Sequence, residues 1–304
     1  MDFGLNAKIF YLCVQGLSNR AIGRLLYVSE HCVRLRIQRL AQRAFVFHAN
    51  TVKDFKIAEP ICYDGLENFA GSQYNPNNIQ QAIGRESLFI YDFNFASLNR
   101  KGRMSVWQKV RLKEIESEFG RYNPKNIRIT TKNILRRLYL KSEDKKKFTL
   151  FSDEHFQYRK VIRKNLRQLR INHITVSSKA CRNFQNILFP VNHADLIIRK
   201  QLAAFTRETI SFSKKSGAMC QKYMLFATFK NFMASQFTKK HVRRPEAHVK
   251  SPAQMLGLKN KILRFSDIFN RRSFAKEVMQ LNSDWRYFWR GEIPRSQNRN
   301  TIYT

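Results

Sequence analysis

Acidic residues are scarce in this chain. Only 22 Asp and Glu stand against 56 Lys and Arg in 304 residues, a formal net charge of +34. An imbalance of that size, spread along the whole length, implies a polyanionic partner, nucleic acid first and an acidic membrane surface second. Paired cysteines are also missing. Cys13, Cys32, Cys62, Cys181 and Cys220 are scattered without a CxxC, which excludes a standard zinc ribbon or knuckle. The odd count does not suit a disulfide framework and points to a reducing compartment. No apolar run approaches the roughly 18 residues of a membrane span. The first residues, MDFGLNAK, have neither the basic start nor the apolar centre of a signal segment. An intracellular protein without a membrane span is therefore expected.

What is present is an ordinary apolar share, 43%, with enough length for about two domains and a real core. Residues 5–41 read as three short helices. Leu5, Ile9, Leu12 and Val14 give the first an apolar face, and Gly16 stops it. Ser18 caps a second helix, Asn19–Leu26, with Ala21, Ile22 and Leu25 inward. Ser29 caps a third, in which Val33, Ile37 and Leu40 recur at helical spacing while Arg34, Arg36 and Arg39 take the outer faces. Two helices joined by a tight turn, the second narrow and basic, form a helix-turn-helix pattern suited to the major groove. A plain three-helix bundle with a solvated charged face is the alternative.

Residues 42–57 read as a linker or short strand. Ile61–Asp64 is strand-like, Gln73–Gly84 reads as loop with a short helix, and Ser87–Phe93 is a strong strand. Leu98–Arg103 is a basic turn carrying Arg100, Lys101 and Arg103. Val106–Phe119 reads as an amphipathic helix through Leu112, Ile115 and Phe119, and a further helix covers Lys132–Leu140. The chain is organised around FTLFSDEHFQYR, Phe148–Arg159. Here an apolar strand ends in Asp153–Glu154 and a helical pattern, 156–169, follows at once. A carboxylate at the end of a buried strand is held where metals and phosphates can reach it. Asp64 closes an apolar run in the same way. Taken alone, the Asp153 stretch reads first as an ordinary strand-to-helix turn with an acidic N-cap, and the second such place at Asp64, in so basic a chain, turns the reading toward a site.

Ile171–Ser177 is rich in β-branched residues. Two helical patterns run from Asp195 to Phe232 with a break near Ser216–Gly217, and the second holds YMLFATFKNFM, too apolar to be exposed. Residues 235–250 read as an extended basic arm, and 251–269 return to apolar periodicity. Trp285, Tyr287, Phe288 and Trp289 lie among arginines. They either stack on nucleic acid or dock on the body of the protein. Strands mixed with helices describe a mixed α/β sheet protein, an α+β arrangement with helices flanking the sheet.

The order helix-turn-helix, D-x-x-E-x-F at Asp64–Phe69, then Asp153, resembles the DDE transposases of small bacterial insertion sequences. The most specific part is Val191–Lys215, VNHADLIIRKQLAAFTRETISFSKK. It is similar to a family segment reading roughly V-E-R-x-N-L-x-x-R, a spacer, then F-T-R-x-T-x-x-F-S-K-K. SPAQMLGL at Ser251–Leu258 resembles a TPAMxxGL signature downstream. The likeness runs from about residue 8 to about residue 269.

The resemblance implies an RNase H-like catalytic domain over 57–234, an all-α helix-turn-helix domain over 1–48 and a basic tail over 235–304. It implies Asp64 and Asp153 as the first two acids of a site for Mg²⁺ or Mn²⁺, with two ions. The family's third acid falls on Asn192, a departure. Asp195, three residues on and on nearly the same helical face, is taken as its substitute, with Glu208 behind it. The family's cysteine zinc ribbon would precede the helix-turn-helix, and this chain starts just after that place. Implied further are double-stranded DNA as partner, held by Arg100–Arg103, Arg199–Lys200 and Lys214–Lys215, a homo-oligomer, and a cytoplasmic place at the bacterial nucleoid. A non-catalytic or decayed DNA-binding relative is the alternative. A serine or tyrosine recombinase using Tyr158 lacks its Arg-His-Arg-Tyr pattern.

Overall fold

The computed structural model describes residues 3–206, 211–236, 249–270 and 275–297. Three helices open the chain: α1 (Phe3–Val14), α2 (Asn19–Leu25) and α3 (Glu30–Thr51). The two serine caps are made as the sequence predicts. Ser18 Oγ accepts from the Ala21 amide at 3.3 Å and Ser29 Oγ from the Cys32 amide at 3.1 Å. The α2–α3 turn is tight because residue 23 has no side chain. A Cβ there would stand 2.7 Å from the Val28 carbonyl oxygen. Ile22 is buried, but Leu25, expected inward, is 55% exposed.

Residues 42–57 are not a linker. α3 continues through them to Thr51 and buries Ala41, Ala44, Phe45 and His48 in the core. Apolar positions at helical spacing persist in that stretch, and packing on α8 (Ser216–Thr228) outweighs the strand preference of Phe45-Val46-Phe47. His48 sits fully inside. Burial lowers its pKa to about 4, so it is neutral, with Nε2 3.3 Å from the Tyr91 carbonyl.

Five strands form one mixed sheet: β1 (Ile61–Phe69), β2 (Pro76–Gly84), β3 (Ile90–Ser97), β4 (Thr149–Asp153) and β5 (Asn172–Val176). Their order is β3-β2-β1-β4-β5. The β1–β2 and β2–β3 pairs are antiparallel, whereas β1–β4 and β4–β5 are parallel. β2 corrects the loop expected at Gln73–Gly84. Its PNNIQQAIG carries amides where a strand pattern would carry β-branched residues, and two of them find partners, one on each face of the sheet. Gln80 Nε2 reaches Thr131 Oγ1 at 3.1 Å, and Gln81 Oε1 accepts from the Tyr223 hydroxyl at 2.7 Å.

The sheet is covered on both faces. Helix α5 (Asn126–Lys141) lies on one, where Tyr63 donates to Thr131 Oγ1 at 3.0 Å. On the other lie α7 (Phe189–Gln201), α8 and the second half of α3. Between β3 and α5 the chain makes an excursion carrying α4 (Val106–Phe119), in which only Ile115 is buried. Helix α6 (Phe156–Lys160) runs on into a wider turn, Val161–Asn165, shorter than the helix expected over 156–169.

The C-terminal aromatics dock. In α12 (Ser283–Arg290), Trp285 and Phe288 are buried, and Trp285 Nε1 donates to the Phe93 carbonyl at 3.0 Å. A Cβ on Gly217 would meet the Gly291 carbonyl oxygen at 1.8 Å, so α8 and the end of α12 touch backbone to backbone. Between them lie α9 (Pro252–Met255), α10 (Phe265–Phe269) and α11 (Ala275–Met279). Most of the arm read over 235–250, and Glu208, fall outside the described residues. All five cysteines are free. Among the described residues no helix is long and apolar enough to cross a membrane.

Candidate functional site

The β1–β4 ladder is parallel with Tyr63 opposite Ser152, so the next step along each strand brings Asp64 beside Asp153. Side chains alternate, and both carboxylates therefore leave the sheet on the face away from Tyr63 and α5. Cys62, two residues before Asp64, points the same way, donating its thiol to the Ile187 carbonyl at 3.2 Å just ahead of α7. Across β1–β2, Asp64 stands opposite Gln81. Gln81 holds Asp195: its amide nitrogen donates to Asp195 Oδ1 while its oxygen takes the Tyr223 hydroxyl. Asp195 is delivered by α7, which packs over β1 and β2. Asn192 lies one turn earlier on the same helix.

The three acids share one electrostatic environment. Burial, then the charge of Asp153, and further that of Asp195, push Asp64 up to about 7. The Gly65 amide, 2.7 Å from Asp64 Oδ1, and Arg182 act in the opposite direction. Asp153 Oδ1 accepts from the His155 amide at 3.0 Å, the local turn bond expected of an acid ahead of a helix. His155 itself is half-buried. Desolvation lowers its pKa, Asp153 and Glu67 oppose this, and Lys101 reinforces it.

Three carboxylates converging on one sheet face suit a hard divalent cation. As arranged, however, no group of three or more His, Cys, Asp or Glu among the described residues is drawn together tightly enough to hold a metal. Asp195 is turned to Gln81. Sequence reasoning missed Gln81 and Tyr223, because nothing in an amide-rich segment read as loop marks a strand residue facing a carboxylate.

The basic residues divide. Arg34 and Arg39 are exposed on α3, with Arg34 Nη2 2.9 Å from His31 Nδ1. Arg36 is half-buried and donates to Asn6 Oδ1 at 2.7 Å, tying α3 to α1. Arg100, Lys101 and Arg103 lie in the loop after β3, at the sheet end where β1 and β4 finish. Arg199 donates to the Glu67 carbonyl at 3.0 Å. Lys214 lies 3.4 Å over the Phe212 ring, which packs edge-on against Phe69 at the end of β1, and Lys215 is exposed beside it. Basic groups from three separate segments thus rim the sheet end that carries the acids. Tyr158 is buried edge-on against Tyr63 with its hydroxyl pKa raised by desolvation, which removes it as a nucleophile.

No known protein-family model matches the chain, and no curated protein matches it in sequence.

Proposed function

We propose that the chain is a metal-dependent enzyme of DNA phosphodiester chemistry on an RNase H-like sheet. More narrowly, we read it as an insertion-sequence transposase of the DDE type. The observation that carries the reading is the placing of Asp64 and Asp153 side by side on adjacent parallel strands, with Asp195 reaching the same neighbourhood from α7. The strand order β3-β2-β1-β4-β5, antiparallel then parallel, is the one an RNase H-like domain requires and supports the same conclusion.

Asp64, Asp153 and Asp195 would hold Mg²⁺ or Mn²⁺. When bound, the metal would activate a water or 3′-hydroxyl and steady the leaving oxygen. The protein's own groups do the rest. Arg199, Lys214, Lys215 and the Arg100–Arg103 loop neutralise phosphates along the rim, and the α2–α3 unit, through Arg34 and Arg39, grips a DNA end. Joining two ends at once calls for a homo-oligomer, acting at the bacterial nucleoid.

A second reading, a DNA-binding protein that has lost catalysis, is favoured by the bond between Asp195 and Gln81 and by the amide at Asn192. Nicking of labelled DNA carrying the gene's own flanks, with Mg²⁺ or Mn²⁺, separates the two. Cleavage abolished by both Asp153→Ala and Asp195→Ala supports the transposase. Binding without cleavage, rescued by Asn192→Glu, supports the decayed enzyme.

A further inference from the structure

Helix α4 is anchored at its base and exposed along its length. Asn99 and Tyr122 close the excursion with two reciprocal hydrogen bonds: Asn99 Nδ2 to the Tyr122 carbonyl at 2.8 Å, and the Tyr122 amide to Asn99 Oδ1 at 2.9 Å. The buried Tyr122 hydroxyl also donates to Asn75 Oδ1 at 2.6 Å. At the helix start, Ser105 and Gln108 form a reciprocal capping box, and Gln108 Nε2 reaches Gln73 Oε1 in the β1–β2 turn at 3.4 Å. The N-terminal end of α4 is thereby positioned at the sheet end that carries the acids.

That end displays apolar surface to water. Trp107 is 83% exposed, Val106 77% and Val110 46%, and at these spacings they share one side of the helix. Among the described residues, no other helix or strand packs extensively against α4. Charge sorts along the helix: Lys109, Arg111 and Lys113 come before Glu114, Glu116 and Glu118. Arg100, Lys101 and Arg103 immediately precede it. An exposed indole with the cations of the preceding loop close by in the chain, and with Arg111 one turn on in an ion pair to Glu114 at 2.7 Å, fits a partner that is anionic and offers flat apolar faces.

We infer that Trp107, seated on α4 beside the carboxylate site, stacks on an unpaired base of the DNA strand presented to that site. The inference rests on the proposed DNA chemistry. In an intact duplex the base faces are stacked on one another, so an indole gains a face only where the strand is frayed or single. The cations of the loop and of the first helical turns hold the adjoining phosphates, and Val106 and Val110 shield the stacked pair from water.

The test uses the full chain at fixed salt, with fluorescence anisotropy on a flush duplex and on the same duplex bearing a short single-stranded overhang. Trp107→Ala is expected to weaken binding to the overhang DNA by about tenfold and to change flush-duplex binding by less than about twofold. Trp107→Phe keeps most of the affinity, and the quenching of tryptophan emission by overhang DNA is lost in it. Circular dichroism checks that these surface variants fold. Unchanged overhang binding by Trp107→Ala overturns the stacking role while DNA binding itself still stands. Equal losses on both DNAs also overturn it, as do unchanged affinities with altered self-association, which would make α4 a contact between copies. Failure of the native chain to bind either DNA overturns the proposed function, and the stacking role with it.

Discussion

Gln81 faces Asp64 across the β1–β2 ladder and at the same time donates its amide to Asp195. One neutral side chain therefore separates two acids that repel each other. Gln81→Glu would add a further negative charge there. Without divalent metal its melting temperature is expected to fall by several degrees, and Mg²⁺ should recover more stability than it adds to the native chain. A Mg²⁺ titration by differential scanning calorimetry checks this. Equal Mg²⁺ effects on both proteins would argue against a cation among these carboxylates.

The raised pKa of Asp64 carries a sign. The folded chain keeps the Asp64 proton up to about pH 7, whereas a free aspartate side chain loses it near 3.8. Between those values the folded state binds the extra proton, so this group's contribution to stability is full below about pH 4 and declines as pH rises to about 7. Denaturant unfolding in a chelator should show that slope. Asp64→Asn should flatten it and raise stability at pH 8 by ~1–2 kcal/mol, while abolishing any cleavage.

Arg137 bridges two acids under α5, with Nε 2.7 Å from Asp92 and Nη1 2.8 Å from Asp284 at the start of α12. Removing the guanidinium leaves buried carboxylates without their cation. Arg137→Ala is expected to cost ~3–5 kcal/mol, read from urea midpoints. Because Asp284 belongs to the docked C-terminal helix, limited proteolysis should also cut first near α12 in this variant.

Arg34, Arg36 and Arg39, three of the four arginines of α3, should separate by experiment. Arg36→Ala loses the bond to Asn6 and is expected to cost ~1 kcal/mol of stability with little change in DNA affinity. Arg34→Ala and Arg39→Ala should leave stability within ~0.5 kcal/mol. Each should lower the salt dependence of DNA binding by about one counterion.

The opening helices were legible because serine caps and helical spacing are local signals. Ser18 and Ser29 bond as their positions predict. Asp64 and Asp153 could be nominated because each closes an apolar run. β2 could not be read, since Gln80 and Gln81 are tolerated in a buried strand only through Thr131, Tyr223 and Asp195, residues distant in sequence. The continuation of α3 past residue 41 was hidden for a related reason. His48 looks like a surface residue until Tyr91 and the aromatic rings around it come into place. The docking of Trp285 likewise depends on the Phe93 carbonyl, which no local pattern announces.

The uninterrupted 22 residues of α3 act as a measuring rod. Its first turns belong to the unit that would grip DNA, and its last lie in the core against β3 and α12, with Phe45 beside Phe93 and Trp285. At 1.5 Å per residue such a rod resists shortening or bending between its ends. The spacing from the sequence gripped to the bond attacked would then be fixed by helix length, like the jaw setting of a caliper. A whole-turn insertion in the middle of α3 would be expected to move the cleavage position along the DNA before it abolished cleavage.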